Sequence, residues 1–326
     1  MRKLKFIIFA SLLVGGAILC AVRWKAWFGN PPAPQWQGDT VTLSFRTLDD
    51  SLLLQRLQKD TLQLLVLGDV HNGLERADYF CICERHTDID FYAQLGDWIE
   101  RPCVYYEQML YRAIENTGLD TLPVVAIPGN HEYHKGLIKR LSTSWKSRFA
   151  NPQNGPARFL GSTYYVDFPH LRVIAIDTDG LQRLSDYTQT AFWLKQVLRE
   201  ATDRYTIVLM HHPIFSAAKG RQNPWMWLGF YGALREADVV FAGHDHGYMR
   251  RTQEYKERFW SRQQPTVFVV TNASDKVYPS KDRAVCGCSY TGEALYEHLI
   301  IAPDTMRVRT YKVGTNECID SFSIAR

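Results

Sequence analysis

Short apolar runs alternate with amphipathic stretches along most of the chain. Strand-like runs rich in Val, Ile, Leu, Tyr and Phe fall at 62–67, 91–95, 124–127, 164–167, 171–176, 206–210, 239–242 and 266–270. Two more, at 295–302 and 306–313, are joined by the turn-like Pro303-Asp304. Between these runs, apolar residues recur at helical spacing over 77–86, 103–116, 137–149, 189–201 and 231–237. Strands alternating with helices mark an α/β chain. The last two runs read as an antiparallel pair, so the pattern predicts mixed sheets with helices outside.

One apolar run does not belong to this alternation. Residues 6–22, FIIFASLLVGGAILCAV, form a charge-free stretch of 17 residues, at the short end of the roughly 17–25 that cross a bilayer. Arg2, Lys3 and Lys5 precede it, and Arg23, Trp24, Lys25 and Trp27 follow. A cleaved signal peptide and a retained signal anchor both begin this way. The bulky, charged flank lacks a small-residue cleavage pattern and suits the headgroup region, which favours the anchor. Leu19 is too large for the residue expected before a lipoprotein cysteine at Cys20. The basic residues ahead of the run place the amino terminus in the cytoplasm and the body outside it, periplasmic or extracytoplasmic. A body secreted after signal cleavage is the alternative. Residues 29–40, rich in Pro, Gly and Gln, read as a linker. The predicted organisation is an anchor over 1–28, a linker and lead-in over 29–60, and a folded domain over 61–326.

Composition narrows the class. Among 326 residues, 46% are hydrophobic and 22% charged, which excludes a disordered or low-complexity chain. The net charge of +4 resides in the first 25 residues, which carry +5 and leave the rest at −1. Such a body lacks the global positive field of most nucleic-acid binders, so no nucleic-acid partner is expected. Outside the apolar run lie six cysteines, Cys81, Cys83, Cys103, Cys286, Cys288 and Cys318. Their spacing matches neither a zinc nor a redox motif; disulfides and free thiols both stay open.

The chemistry sits where strands end. Five polar motifs follow five predicted strands: Gly68-Asp69-Val70-His71, Gly96-Asp97-Trp98-Ile99-Glu100, Gly129-Asn130-His131-Glu132, His211-His212-Pro213 and Gly243-His244-Asp245-His246. Loops at the carboxyl ends of α/β strands converge on a ligand crevice. Six of the ten histidines fall in these motifs. A lone Asp-x-His after a strand is usually a turn, but five such motifs in one chain point to a metal site. Carboxylates and imidazoles without cysteine suit Mn, Zn or Fe as divalent ions. In Asp-x-His and His-x-His, alternate residues of an extended chain point the same way, so two ligands reach one centre. One aspartate can bridge two cations, the arrangement that clamps phosphoryl oxygens.

In order and spacing these motifs resemble the calcineurin-like metallophosphoesterases over residues 64–250. The resemblance implies a four-layered α/β/β/α sandwich with two mixed β-sheets. It implies a first metal held by Asp69, His71, Asp97 and His246, and a second held by Asp97, Asn130, His211 and His244, with Asp97 as the bridge. It makes His131 the histidine that contacts phosphate and assists the leaving group. The implied activity is hydrolysis of small-molecule phosphate esters, phosphomonoesters favoured, by a hydroxide held on the two metals. Gln189-Thr190-Ala191-Phe192-Trp193-Leu194, Met210-His211-His212-Pro213 and the stretch from Phe241 to Arg251 look like the purple acid phosphatase branch. That branch has a metal-binding tyrosine three residues after the bridging aspartate, where this chain has Glu100.

Other readings remain beside this one. The same site could serve a phosphodiesterase or nucleotide pyrophosphatase. The fold could serve as a non-catalytic scaffold, although a degenerate scaffold should have lost ligands. A peptidase or amidase on two metals fits the motif order less well. His212 is a possible substrate contact, Glu100 a possible neighbour of the ligands, and Asp245 reads as a supporting or solvated group. Trp225-Met226-Trp227 fits either a substrate pocket or ordinary packing. His86, His134, His170 and His298 carry no motif and read as surface or core residues.

Overall fold

The computed structural model describes residues 33–40, 45–48, 54–55, 57–71, 73–75, 79–136, 138–253, 265–279, 288–290 and 292–326. The apolar run 6–22, Cys20 and Cys286 lie outside the described residues. Among the described residues, no helix is long and apolar enough to cross a membrane.

In chain order the elements are β1 (Leu62–Leu67), α1 (Phe80–Arg85), β2 (Phe91–Gln94), α2 (Val104–Thr117), β3 (Val124–Ala126), β4 (Tyr133–His134), β5 (Arg140–Leu141), α3 (Thr143–Arg148), β6 (Tyr164–Asp167), β7 (Leu171–Ile176), α4 (Leu184–Glu200), β8 (Tyr205–Met210), α5 (Pro224–Leu234), β9 (Val239–Ala242), β10 (Tyr248–Gln253), β11 (Thr266–Val270), β12 (Cys288–Tyr290), β13 (Leu295–Ile301), β14 (Thr305–Lys312) and β15 (Cys318–Ala325). One six-stranded sheet has the order β15-β14-β13-β1-β2-β3, and a seven-stranded sheet has the order β12-β10-β11-β9-β8-β7-β6. Both are mixed. Parallel pairs β1/β2 and β2/β3 occupy the centre and one flank of the first sheet, with the antiparallel β13–β15 meander on the other flank. In the second sheet β7, β8, β9 and β11 run parallel.

Three apolar layers give the four-layered sandwich. Alternate residues of both sheets, including Val66, Ala93, Leu209 and Phe241, meet between them. The opposite face of the first sheet, with Leu65 and Tyr92, packs on Leu110 and Ile114 of α2. The opposite face of the second, with Ile174 and Val208, packs on Leu194 and Val197 of α4 and Phe230 of α5. Strands buried on both faces read as continuous apolar runs, which is why their ends are sharp in the sequence.

Where the sequence reading differs from the structure, local polar chemistry decides. α4 begins at Leu184 rather than 189, because the Asp186 carboxylate accepts the backbone N–H of Gln182 and Arg183 at 3.0 and 2.9 Å. α5 begins at Pro224 rather than 231, with proline in the first turn and Asn223 Oδ1 accepting Met226 N–H at 3.3 Å. The helix expected over 137–149 is only α3; the short β4–β5 hairpin takes its first part. β10 and β15 were not expected as strands. Their polar positions are occupied by partners, Arg250 donating to Asp320 at 2.6 and 3.0 Å, so apolar alternation is weak.

Candidate metal centre

β1, β2, β3, β8 and β9 all end at one edge of the sandwich, and the five polar motifs meet there. Asp97, after β2, is the hub. Its Oδ2 lies 3.3 Å from His211 Nε2, 3.6 Å from His71 Nε2 and 3.9 Å from His131 Nε2. On one side, Asp69, His71 and His246 offer ligand atoms within 4.8 Å of one another; on the other, Asp97, His211 and His244 do the same. Asn130 Oδ1 is 3.4 Å from His211 Nε2, and His244 Nδ1 is 3.2 Å from it. All seven residues expected as ligands are therefore brought together, and Asp97 groups with His71 and His131 as well as with His211 and His244.

The backbone is strained at this place. Six non-glycine residues among those described have positive φ, and five of them are Asp69, His71, Asp97, His244 and His246, at 53°, 46°, 56°, 70° and 46°. Such conformations cost about 1–3 kcal/mol each and persist only where the surroundings dictate them. This corrects the expectation of extended Asp-x-His and His-x-His segments. The left-handed turns separate His244 from His246, which join different groups, and curl His71 back beside Asp69.

Glu132 builds much of the frame. Its buried carboxylate accepts the backbone N–H of Asp97 at 2.8 Å, Trp98 at 2.8 Å and Gly129 at 2.7 Å. Two glycines leave room for the acids. A Cβ on Gly129 would lie 2.3 Å from Asp97 Oδ1, and one on Gly243 would lie 2.3 Å from Asp69 Oδ2. The side chains are also oriented from behind: His211 Nδ1 is 2.8 Å from the Leu95 carbonyl, and His246 Nδ1 is 3.1 Å from that of Lys276. Such contacts set which nitrogen faces the centre.

Electrostatics favour the ligating form at Asp97, His244 and His246 and oppose it at Asp69, His71 and His211. Burial raises carboxyl pKa values, and it pushes Asp69 up to about 7, with Asp97 adding to the effect. Burial acts on Asp97 too, but the charge and hydrogen bond of His211, then His131 and His71, outweigh it and hold that carboxyl well below its ordinary range. Burial lowers His244, reinforced by His212, His211 and Arg221, and lowers His246 to about 3, reinforced by His71 and Lys276. Ionised carboxylates and neutral imidazoles are the forms that bind metals. His211 moves the other way: Asp97 overrides burial and raises it well above the usual histidine value.

The residues fit divalent cations. Asp69 Oδ1 and His71 Nε2 are buried, lack a hydrogen-bond partner, and belong to the same donor group. Unpaired buried polar atoms are costly, and a cation on this set would satisfy both. The nitrogen and oxygen donors suit Mn, Zn or Fe.

The neighbours divide. His131 Nδ1 lies 2.5 Å from the Glu100 carbonyl, so it donates there and leaves Nε2 toward Asp97. Glu100 Oε2 lies 3.2 Å from His71 Nδ1, beside a residue expected as a ligand. His212 Nδ1 is 3.0 Å from Thr178 Oγ1 and 3.5 Å from Asp179 Oδ2, and its ring centroid is 4.3 Å from that of His244. Burial lowers it to about 4 despite Asp179. Asp245 is fully buried rather than solvated, accepting from Ala217 N–H at 2.8 Å. Trp225 lines a cavity of about 700 Å³ with Leu181, Tyr187 and Leu228, while Met226 is core and Trp227 stacks on Tyr231.

Glu132, Asp179, Arg221 and Tyr278 went unassigned in the sequence. Asp177-Thr178-Asp179-Gly180 is a sixth polar motif at a strand end, after β7, and was a readable signal. Arg221 and Tyr278 lie in loops with no local signature.

The chain belongs to the calcineurin-like phosphoesterase family, whose model matches residues 62–248. It is 24% identical over 174 residues to glycerophosphodiester phosphodiesterase GpdQ of Enterobacter lignolyticus, a match covering 51% of this chain and 59% of that protein. In fold it is similar to the purple acid phosphatase PPD1 of yellow lupin (Lupinus luteus), with TM-score 0.61 and 15% identity, covering 82% of this chain and 54% of that one. It is also similar to GAP50, the anchor in the inner membrane complex of Plasmodium, with TM-score 0.57 and 14% identity over 82% and 89% of the two chains.

Proposed function

We propose that the chain is a metal-dependent phosphoesterase with a two-cation centre, acting on small phosphate esters with phosphomonoesters preferred. The observation that carries this reading is Asp97, whose single carboxylate faces both donor groups at 3.3–3.6 Å. Asp69, His71 and His246 would hold one cation and Asn130, His211 and His244 the other, with Asp97 shared. Bound cations of the Mn, Zn or Fe kind supply Lewis acidity toward phosphoryl oxygens and make water a nucleophile near neutral pH. The chain supplies the rest. Glu132 and the left-handed turns hold the carboxylates in place before substrate arrives, so little reorganisation is left for the reaction. His131, tied to the Glu100 carbonyl through Nδ1, presents Nε2 to the centre; in its protonated form it passes a proton to the leaving oxygen. Glu100 occupies the place of the tyrosine of the purple branch and faces His71 instead, which argues against a purple iron site.

Similarity to a glycerophosphodiester phosphodiesterase favours a second reading, a diesterase using the same centre. A scaffold without catalysis is opposed by the intact donor set. The apolar run 6–22 and its basic flanks support a body exported and tethered to a membrane. Activity of the metal-loaded protein on phosphomonoesters, phosphodiesters and nucleotides tests the reading. Monoesters are expected to give the highest kcat/KM. Faster turnover of diesters establishes the second reading, and no turnover of any ester by protein holding both ions would overturn both.

A further inference from the structure

α5 is apolar on every side. Its 11 residues, PWMWLGFYGAL, include no charged side chain. A helix of that kind is normally enclosed by protein or by lipid. Here Met226 and Phe230 enter the core, while Trp225 and Leu228 are 67% and 66% exposed. α4 adds Leu184 and Phe192, 75% and 74% exposed. Leu184, Trp225 and Leu228 meet at the cavity of about 700 Å³ between the two helices. Exposed apolar patches of this kind mark surfaces that meet another phase or another chain.

Three observations favour a bilayer over a second protein. The first is charge. Exposed Arg183 lines the cavity, and exposed Arg140 stands on the β4–β5 hairpin, whose Lys139 N–H donates to Gln182 Oε1 at 3.0 Å. The only acid in the segments 181–192 and 214–234, Asp186, is buried and paired with Arg158 at 3.0 Å. Basic residues around an apolar patch without a free acid match anionic headgroups. The second is residue type: α5 presents Trp225 and Trp227, and tryptophan suits the boundary of headgroups and acyl chains. The third is where the chain enters the body. Trp36 packs edge-on against Tyr105 at the start of α2, ring centroids 6.0 Å apart. α2, α4 and α5 follow β2, β7 and β8, so all three helices begin at the edge that carries the metal centre. The stretch 23–32 spans at most about 35 Å, so the apolar run 6–22, once in a bilayer, holds that edge near the membrane.

We propose that the cleft between the amino-terminal ends of α4 and α5 is a membrane-docking surface. Leu184, Trp225 and Leu228 enter the boundary between headgroups and acyl chains, and Arg183 and Arg140 lie among anionic headgroups. This rests on the reading of the body as tethered through 6–22. The metal centre then stands beside the headgroup layer, because Leu181 of the cavity closely follows Asp179, whose carboxylate is 3.5 Å from His212.

The test uses the full chain in mixed phosphatidylcholine–phosphatidylglycerol vesicles with a trace of phosphatidylcholine carrying a diazirine on one acyl chain. After irradiation, lipid adducts are mapped by peptide mass spectrometry, and Trp225→Ser/Leu228→Ser is treated alike. Adducts are expected on peptides covering 181–192 and 222–234 as well as 1–28, and not on β14 or β15. Loss of two large apolar side chains should cut the adducts on α4 and α5 by about tenfold or more. Those on 1–28, and Tm in detergent, should stay as in the parent. Adducts confined to 1–28, adducts spread evenly over the body, or an unchanged yield in the double variant would each overturn the proposal. Bifunctional cross-linking of the same samples covers the other occupant: body-to-body links through α4 and α5 in place of lipid adducts would assign the face to a second copy and overturn it. If 1–28 carries no adduct, the tether reading fails, and adducts on α4 and α5 still decide the docking surface. Should the double variant not fold, the parent's adduct map alone decides.

Discussion

Replacing Gly243 with alanine probes how tightly the frame grips one ligand. The added Cβ would sit 2.3 Å from Asp69 Oδ2, 3.2 Å from Asp69 Cγ and 3.4 Å from the Leu95 carbonyl. Contacts below 3.0 Å are not sustained, so the carboxylate must retreat by about 0.7 Å. It has nowhere easy to go: Asp69 is fully buried, and its Oδ2 accepts the His244 N–H at 2.6 Å. Gly243 is not in the left-handed region, so the perturbation is crowding alone. Overpacking costs about 1–3 kcal/mol, and the strained hydrogen bond to a carboxylate falls within the same range. At about 2–4 °C per kcal/mol for a domain of this size, a fall in Tm of several degrees is expected. Metal content should drop from near two ions per chain toward one, because Asp69 belongs to one donor group only. Calorimetric melting and elemental analysis of Gly243→Ala, beside Gly73→Ala where a Cβ meets nothing within 4 Å, provide the measurement. A Gly243→Ala protein with the parent's Tm and both ions would refute the steric reasoning.

Three further outcomes are expected. His131→Ala should keep its ions and lose about 10²–10⁴-fold in kcat, more on alkyl phosphates than on nitrophenyl phosphate, whose leaving oxygen scarcely needs a proton; equal losses on both would make it a binding group only. Glu297, fully buried in β13, has its carboxyl pushed up to about 8 by burial from an unfolded value of 4.5. A raised carboxyl pKa means the folded state holds a proton that the unfolded chain releases, so stability falls as pH rises between those values. Urea unfolding at pH 5.5 and 7.5 should show Glu297→Gln gaining on the parent by on the order of 2 kcal/mol across that interval, and an unchanged difference would contradict the burial argument. Protease added to intact cells or spheroplasts should degrade the body if it is exported; degradation only after lysis would reverse the topology.

Much of the architecture was legible because buried parallel strands are written as uninterrupted apolar runs. β1, β7, β9 and β11 match the expected bounds residue for residue, as does the antiparallel edge strand β6 with its alternating burial. The starts of α4 and α5 were not legible, since they depend on the caps Asp186 and Asn223 rather than on periodicity. β10 and β15 hid behind the Arg250–Asp320 pair and Tyr248, which replace apolar alternation with hydrogen bonds. The clustering of the residues expected as ligands was readable because each follows a strand end, and strand ends converge. Arg221 was not, because what places it is the meeting of two loops distant in sequence, through Asp245 and Tyr278. The left-handed turns at the ligands were also invisible: nothing in Asp-x-His states that the chain curls rather than extends.

The central claim is that one carboxylate serves two cations. Elemental analysis of the purified chain and of Asp97→Asn, read together with phosphoesterase turnover of the same samples, tests it most directly. The parent should carry close to two divalent ions per chain and hydrolyse phosphate esters. Asp97→Asn should lose metal as well as turnover, because Asp97 Oδ2 faces His71 and His211 alike. A fully active parent with no bound divalent metal, or an Asp97→Asn chain that keeps both ions, would contradict it.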